Sequence, residues 1–319
     1  MAKILLTDKI SSRAEEILKK SGLNVISLPT MPREQLVNCI DNYFAIAIRS
    51  ATRLDAKLLR SPRNLKLIVR GGVGVDNIDI PAATQAGIAV ANTPGANTIA
   101  TVELTFALML SMARNLIPAH NSILRGEWER AAYRGVELYA KTLGVIGFGR
   151  IGKEVARRAQ AFGMNVLAYD PFLPSEVFVD AGVEQMPREA ILQNADYLTL
   201  HLPLDAATRH IINESAFLQM KKGVRIINCA RGGLIDESAA VQALNNGAIA
   251  GLALDVYETE PPGADHPLVG HPKVIHVPHL GAYSVEAQEK VADEVAAVII
   301  DFFLNQKYDA LLNRKDLAI

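Results

Sequence analysis

Three short segments in the last third of the chain carry the residue types that an acid–base redox reaction needs, and each follows an apolar run. In Asn228-Cys229-Ala230-Arg231-Gly232-Gly233 an arginine stands between a strand-like stretch and two glycines, where a guanidinium can grip a carboxylate through paired hydrogen bonds. Leu254-Asp255-Val256-Tyr257-Glu258-Thr259-Glu260-Pro261-Pro262 offers three carboxylates on a loop stiffened by two prolines. Val277-Pro278-His279-Leu280-Gly281-Ala282 offers a histidine backed by small residues. Taken singly, such an arginine can also serve as a surface ion-pair partner, the lesser reading here, and such a histidine is more often structural than catalytic. Together they suggest more: Asp255 or Glu260 can orient His279, and a carboxylate beside an imidazole favours the protonated ring, the form that delivers a proton to a carbonyl oxygen as hydride arrives.

Hydride transfer also needs a nicotinamide, and the chain has a place for one. Gly147-Phe148-Gly149-Arg150-Ile151-Gly152 follows the apolar run Thr142–Ile146 and opens a helical pattern burying Ile151, Val155, Ala159 and Phe162. In a strand–turn–helix of this spacing the first glycine makes the bend, the second lets the backbone approach a pyrophosphate, and the third packs helix on strand. The glycines alone are a weak signal. The next strand, Asn165–Tyr169, strengthens it by ending in Asp170, about 20 residues on, where a carboxylate meets the adenosine ribose hydroxyls. That carboxylate would repel a 2′-phosphate, and Pro171-Phe172-Leu173 supply no arginine to accept one, so the expected cofactor is NAD.

The three segments, their order and the glycine fingerprint ahead of them resemble the D-isomer-specific 2-hydroxyacid dehydrogenase family over nearly the whole chain. The resemblance implies that His279 is the acid/base, that Glu260 hydrogen-bonds it, and that Arg231 binds the substrate carboxylate and ketone. It further implies that Asp255 accepts the nicotinamide carboxamide, that Arg150 and Ile151 line the pyrophosphate turn, and that the backbone of Cys229, Ala230 and Arg231, with Gly281 and Ala282, faces the cofactor. Val73 and Leu202 stand where relatives often carry threonine, which puts side-chain hydrogen bonds at both places in doubt.

Arg49 closes the run Ala45–Ile48 and Arg70 closes Leu67–Val69, so both belong at the carboxyl edge of a first sheet, where two guanidinium groups suit a doubly charged anion. Around them Arg49-Ser50-Ala51-Thr52, Arg70-Gly71-Gly72-Val73-Gly74-Val75-Asp76-Asn77 and Asn92-Thr93-Pro94-Gly95-Ala96-Asn97 resemble the phosphoglycerate-oxidising branch of the family, which would bring Gly72 and Asn97 to the substrate as well. Hydroxypyruvate or glyoxylate reduction on the same catalytic residues is the alternative, with Asp76 giving Arg70 a structural role. An NAD-sensing corepressor or scaffold is a third reading, since fold alone does not fix function.

These residues must be positioned by a larger frame. Short apolar runs (Ile4–Thr7, Val25–Leu28, Ala45–Ile48, Leu67–Val69, Ala89–Ala91) alternate with amphipathic stretches such as Arg13–Lys20. A second series follows at Thr142–Ile146, Asn165–Tyr169, Tyr197–Leu200, Arg225–Asn228, Leu252–Leu254 and Val274–Val277. This is the pattern of two doubly wound parallel sheets, a flavodoxin-like substrate domain and a Rossmann domain. The helical pattern from Ser284 on returns to the first, giving a substrate-binding domain of 1–98 plus 287–319 and an NAD-binding domain of 99–286, hinged near 98 and 286.

The 319 residues suffice for two such cores. With 33 basic against 34 acidic side chains the formal charge is −1, giving no global attraction to nucleic acid or membrane. Two isolated cysteines, Cys39 and Cys229, offer neither a disulfide framework nor a metal cluster. Met1–Asp8 shows no leader pattern, so a cytoplasmic location is expected. The apolar stretch Thr98–Leu116 reads as a core helix with too much apolar circumference for one domain to bury, which with Trp128 predicts a homodimer. By the resemblance Arg130 then becomes a substrate contact in trans, and a serine-binding regulatory domain is not expected after Ile319.

Overall fold

Apolar runs of four or five residues, separated by amphipathic helices, bury both faces of their strands only by pairing in parallel with helices on either side. The computed structural model describes residues 3–60 and 63–317, and its strands pair in this way in two separate sheets. The first has five strands, β1 (Lys3–Leu6), β2 (Asn24–Ser27), β3 (Ala45–Ile48), β4 (Leu67–Arg70) and β5 (Ala89–Asn92), in the order β2-β1-β3-β4-β5. This is the flavodoxin-like order. The second has seven, β6 (Thr142–Ile146), β7 (Asn165–Tyr169), β8 (Glu184–Gln185), β9 (Tyr197–Leu200), β10 (Val224–Asn228), β11 (Ile249–Leu254) and β12 (Val274–His276), in the order β12-β11-β10-β9-β6-β7-β8. Outward from β6 this is the dinucleotide-fold order, and it reverses between β6 and β9, where open α/β sheets bind their ligands.

The residues group into two compact units, one made of the chain up to Asn97 and from Ala282 onward, the other of Thr98–Gly281. The helices are α1 (Ser12–Lys20), α2 (Arg33–Cys39), α3 (Ala56–Leu59), α4 (Ile80–Gln85), α5 (Thr98–Arg114), α6 (Leu116–Leu124), α7 (Arg150–Ala161), α8 (Ser175–Asp180), α9 (Arg188–Asn194), α10 (Glu214–Gln219), α11 (Glu237–Asn245) and α12 (Val285–Ile300). In the first unit α1 and α12 cover one face of the sheet. Val291, Ala292, Val295, Ala296 and Ile299 pack with Ile4, Leu6, Ala47 and Val69, which is why the last helix groups with the first strands. The second division comes at Gly281/Ala282, ahead of the position near 286 read from the sequence. Gln288 Nε2 donates to the Ala282 carbonyl (2.5 Å) and Ser284 Oγ accepts from the Ala287 amide (3.2 Å), so this segment forms the lead-in to α12.

In the second unit, α5 (Thr98–Arg114) lies on β10 and β11 beside α7 (Arg150–Ala161). Val102, Phe106 and Met109 share a core with Val145, Val155, Ile227 and Ala253. The stretch read as one helix to Leu116 breaks at Asn115, whose φ of +50° ends α5, and α6 (Leu116–Leu124) leaves at 66°. One face of α5 is buried in the core of this unit, while Ile99 at its start, Leu116, Ile117, Ile123 and Leu124 on α6, and Trp128 after it are exposed. Among the described residues no single helix is long and apolar enough to cross a membrane.

Candidate active site

In the second unit the sheet delivers its chemistry at the carboxyl ends of β6, β10, β11 and β12. Gly147 leaves β6 at φ +93°, and a Cβ there would lie 2.4 Å from the His201 carbonyl oxygen, so only glycine makes this bend. A Cβ on Gly152 would lie 2.2 Å from the Gly147 oxygen, whereas one on Gly149 meets nothing within 4 Å, leaving the middle of the turn open for a ligand's approach. Gly149 caps α7 without a side-chain hydrogen bond, so the first amides of a twelve-residue helix are available to an anion. Asp170 accepts the Phe148 amide (2.9 Å) and the Phe172 amide (3.0 Å), fixing the turn while each oxygen keeps a further lone pair for a ribose hydroxyl. The glycines, the helix start and Asp170 thus fit a dinucleotide. Leu202, where relatives often carry threonine, packs instead of hydrogen-bonding: its Cδ2 lies 3.0 Å from where a Gly147 Cβ would stand.

His279 and Glu260 meet, with Nδ1 2.6 Å from Glu260 Oε2. Both side chains are partly exposed, at 44% and 37%, so the pair is open to a ligand. Burial would raise the Glu260 carboxyl, but the hydrogen bond and charge of His279, the Tyr257 amide (3.1 Å to Oε1) and the charge of Arg231 outweigh it and hold the group below its ordinary range. His279 sits at φ +53°, a left-handed backbone that a bulky residue adopts only under constraint. The constraint is Asp255. Its carbonyl accepts the His279 amide (3.0 Å), and its carboxylate accepts the amides of Leu280 (2.5 Å) and Gly281 (2.9 Å). Burial pushes the Asp255 carboxyl up to about 6, against the opposing pull of those two amides and of His279. On the far side Thr101 donates to the Gly281 carbonyl (2.9 Å).

Arg231 follows β10 on a turn tied by Asn228, whose Nδ2 donates to the Arg231 carbonyl (2.8 Å) and whose Oδ1 accepts the Ala230 amide (3.0 Å). Arg231 is half-buried, and its Nη1 donates to the Ala230 carbonyl (2.6 Å). Cys229 is buried beside Thr105, and burial drives its thiol far above the ordinary range, so it is an inert packing residue there. Arg150 and Ile151 occupy the first turn of α7, the first exposed and the second packed on the core. Arg130 is exposed on the short turn Arg130–Tyr133.

The other expected residues lie in the first unit. Arg49 and Arg70 stand at the carboxyl ends of neighbouring strands β3 and β4. Asp8 accepts the amides of Arg49 and Thr52 (both 2.8 Å) and the Thr52 hydroxyl (2.6 Å), while Asn77 Nδ2 donates to the Arg49 and Thr52 carbonyls (both 2.6 Å). The Arg49 guanidinium donates to Gln288 Oε1 on α12, and burial lowers it from the usual guanidinium range against Tyr283 and Asp8. The Arg70 guanidinium folds over Gly72, where a Cβ would lie 1.7 Å from Nη1. Gly72 has φ +141°, a backbone conformation that favours glycine. Among the described residues Asn97 Oδ1 is buried with no hydrogen-bond partner, and Asn92 Nδ2 donates to the Val73 carbonyl (2.6 Å). Ala282, expected beside the cofactor, groups with this unit and accepts from Gln288.

Sequence reasoning missed the residues that hold these side chains. Asp8, at the end of β1, was findable as a carboxylate at a strand's carboxyl edge. Gln288 and Thr101 lie 239 and 180 residues from their partners, and no local pattern announces them. His201 was missed as well. Its buried ring, 3.0 Å from Thr199 Oγ1, is pulled down to about 3 by burial and stays neutral behind the Gly147 turn.

Residues 106–281 match the family model described as D-isomer specific 2-hydroxyacid dehydrogenase, NAD binding domain. The chain is 47% identical over 300 residues (94% of the chain) to D-3-phosphoglycerate dehydrogenase of Methanocaldococcus jannaschii, and 41% identical over 318 residues (100%) to the enzyme of that name from Rattus norvegicus. It spans 57% and 60% of the length of these two relatives. A crystal structure of a glyoxylate reductase from Paecilomyes thermophila superposes with a TM-score of 0.90 at 34% identity, covering 98% of this chain and 99% of that one.

Proposed function

We propose that this chain, which belongs to the D-isomer specific 2-hydroxyacid dehydrogenase family, oxidises D-3-phosphoglycerate to 3-phosphohydroxypyruvate with NAD, the oxidation that opens serine biosynthesis. The observation that carries the chemistry is the His279–Glu260 pair at 2.6 Å. Glu260 occupies Nδ1, so Nε2 is the nitrogen that takes the substrate's hydroxyl proton when the ring is neutral and returns it in the reverse direction. Arg231 is assigned to the substrate carboxylate and the developing carbonyl, where a fixed cation stabilises charge that builds up in the transition state. NAD, when bound, accepts the hydride. Gly147, Gly149, Arg150, Ile151, Gly152 and Asp170 are its residues on the diphosphate and ribose side. Cys229, Ala230, Asp255, Gly281 and Ala282 are assigned to its nicotinamide side, with Asp255 also fixing the backbone of His279.

What supports phosphoglycerate over an unphosphorylated acid is the pair Arg49 and Arg70 on adjacent strand ends, Arg49 braced by Asp8, Asn77 and Gln288 and Arg70 folded over Gly72, with Asn97 assigned to the same substrate. The curated relatives at 41% and 47% identity carry that activity in their names. The domain roles follow: the first unit binds substrate and the second NAD. The exposed apolar residues of α6 and Trp128 support a homodimer, in which Arg130 is the contact in trans. A cytoplasmic location belongs to the same reading.

NADH formation from D-3-phosphoglycerate, and NADH oxidation with hydroxypyruvate and glyoxylate, measured for wild type, Arg49→Ala and Arg70→Ala, test the assignment. The value of kcat/KM for phosphoglycerate should fall by roughly 100-fold in each variant, tenfold for every 1.4 kcal/mol of lost contact, with a much smaller change for glyoxylate. Equal losses on all three substrates, or no turnover of phosphoglycerate, would make the protein a general hydroxypyruvate or glyoxylate reductase instead.

A further inference from the structure

Glu237 stands apart from the strand ends that carry the chemistry, in the first turn of α11 (Glu237–Asn245). A carboxylate there is often explained by the helix dipole. Here that explanation does not suffice, because Asp236 already caps α11 through the Ala239 amide (3.0 Å), and both oxygens of Glu237 are engaged away from that helix. Oε1 accepts the amide of Glu258 (2.9 Å), and Oε2 pairs with His266 Nε2 (2.9 Å). The pair is largely shielded, the side chains being 14% and 18% exposed, so its hydrogen bonds are strong and the loss of one partner is costly.

The dipeptide it holds is the junction of the catalytic residues. The Tyr257 amide donates to Glu260 Oε1 (3.1 Å), the carboxylate whose other oxygen meets His279. The Tyr257 carbonyl lies against Gly232, where a Cβ would be 1.8 Å from its oxygen, so the turn that carries Arg231 rests on the same peptide. The Tyr257 hydroxyl lies 2.6 Å from Nδ1 of His276, the last residue of β12 and three before His279. The Tyr257 ring stands edge-on to His266 at 5.8 Å, joining the two supports.

We propose that Glu237, paired with His266, is a positioning residue for the acid–base pair: it fixes the Tyr257–Glu258 backbone and so sets Glu260 against His279 and both against Arg231. It touches neither substrate nor cofactor. The proposal rests on the reading of Glu260 and His279 as the acid–base pair, and its test separates the two.

Hydroxypyruvate reduction by NADH is measured for Glu237→Ala, Glu237→Gln, Glu260→Gln and the double variant Glu237→Ala/Glu260→Gln, with NADH affinity followed by fluorescence. Glu237→Ala lowers kcat by about tenfold or more with NADH affinity unchanged, and Glu237→Gln, which still accepts the Glu258 amide, recovers to within about threefold of wild type. The double variant falls no more than about threefold below Glu260→Gln alone, because residues acting through one another are not additive. Wild-type kcat in Glu237→Ala, or losses that multiply in the double variant, overturn the proposal and leave the Glu237–His266 contact a purely stabilising one. Should Glu237→Ala fail to fold, His266→Phe, which keeps the edge contact with Tyr257, must show the same sub-additive pattern with Glu260→Gln; multiplied losses there overturn the proposal equally. If Glu260→Gln itself keeps wild-type kcat, the acid–base reading has failed, whereas a crippled Glu260→Gln beside an unimpaired Glu237→Ala removes only this inference.

Discussion

Asp255 holds the backbone of His279 from a buried position, and the energetic consequence is measurable. It must sit buried to hold the backbone of His279 through the amides of Leu280 and Gly281, and burial raises its carboxyl from 3.8 to about 6. A carboxylate whose folded-state value is raised binds more protons folded than unfolded between those two pH values. Its contribution to stability is therefore greatest at low pH and is lost as pH rises through about 6. From about pH 5 to about pH 7.5 the wild type should lose roughly 1.4 kcal/mol relative to Asp255→Asn, whose side chain cannot titrate. Denaturant titrations of both proteins across that range check this, and parallel stability curves would show that Asp255 is not the buried titrating group. The role of Asp255 was legible only in part. Its place after a strand and the family resemblance pointed to the cofactor, but its grip on His279 depends on two amides 25 and 26 residues away, which no local pattern in the sequence encodes.

At the scale of elements, the strand ends did most of the positioning, and these were the most legible part of the sequence. Runs such as Ala45–Ile48, Thr142–Ile146 and Tyr197–Leu200 coincide with the strands because a buried parallel strand is apolar on both faces and therefore contrasts with everything around it. β8 escaped for the converse reason: its two residues, Glu184 and Gln185, are polar, exposed and at the sheet edge. The break at Asn115 escaped because apolar periodicity continues across it, and only a residue tolerant of positive φ hints at the bend. The turns are the fragile elements. Gly152→Ala drives a Cβ against the Gly147 carbonyl and Gly232→Ala drives one against the Tyr257 carbonyl, both backbone atoms that cannot step aside. Gly152→Ala should weaken NADH binding by about tenfold or more, read by fluorescence titration, while Gly149→Ala, which meets nothing within 4 Å, should fold with wild-type stability. Wild-type NADH affinity in Gly152→Ala would mean that the turn relaxes freely.

For the whole molecule, the sequence suggested self-association through the apolar stretch Thr98–Leu116 and Trp128, and a cluster of exposed apolar side chains stands on α6, past the bend the sequence concealed, and at Trp128. If that surface joins two copies, Leu124→Glu should convert a sedimenting dimer to monomer, and an unchanged sedimentation coefficient would place any interface elsewhere. Phosphoglycerate turnover by that monomer should fall if Arg130 acts in trans. Hydride transfer with His279 as the proton carrier is the proposal on which this chemistry rests, and its most direct measurement is reduction of hydroxypyruvate by NADH in wild type and His279→Gln, with NADH binding followed in parallel. The predicted result is a kcat lower by about 10²- to 10⁴-fold with NADH affinity within about twofold of wild type. A His279→Gln enzyme turning over at the wild-type rate would contradict that role.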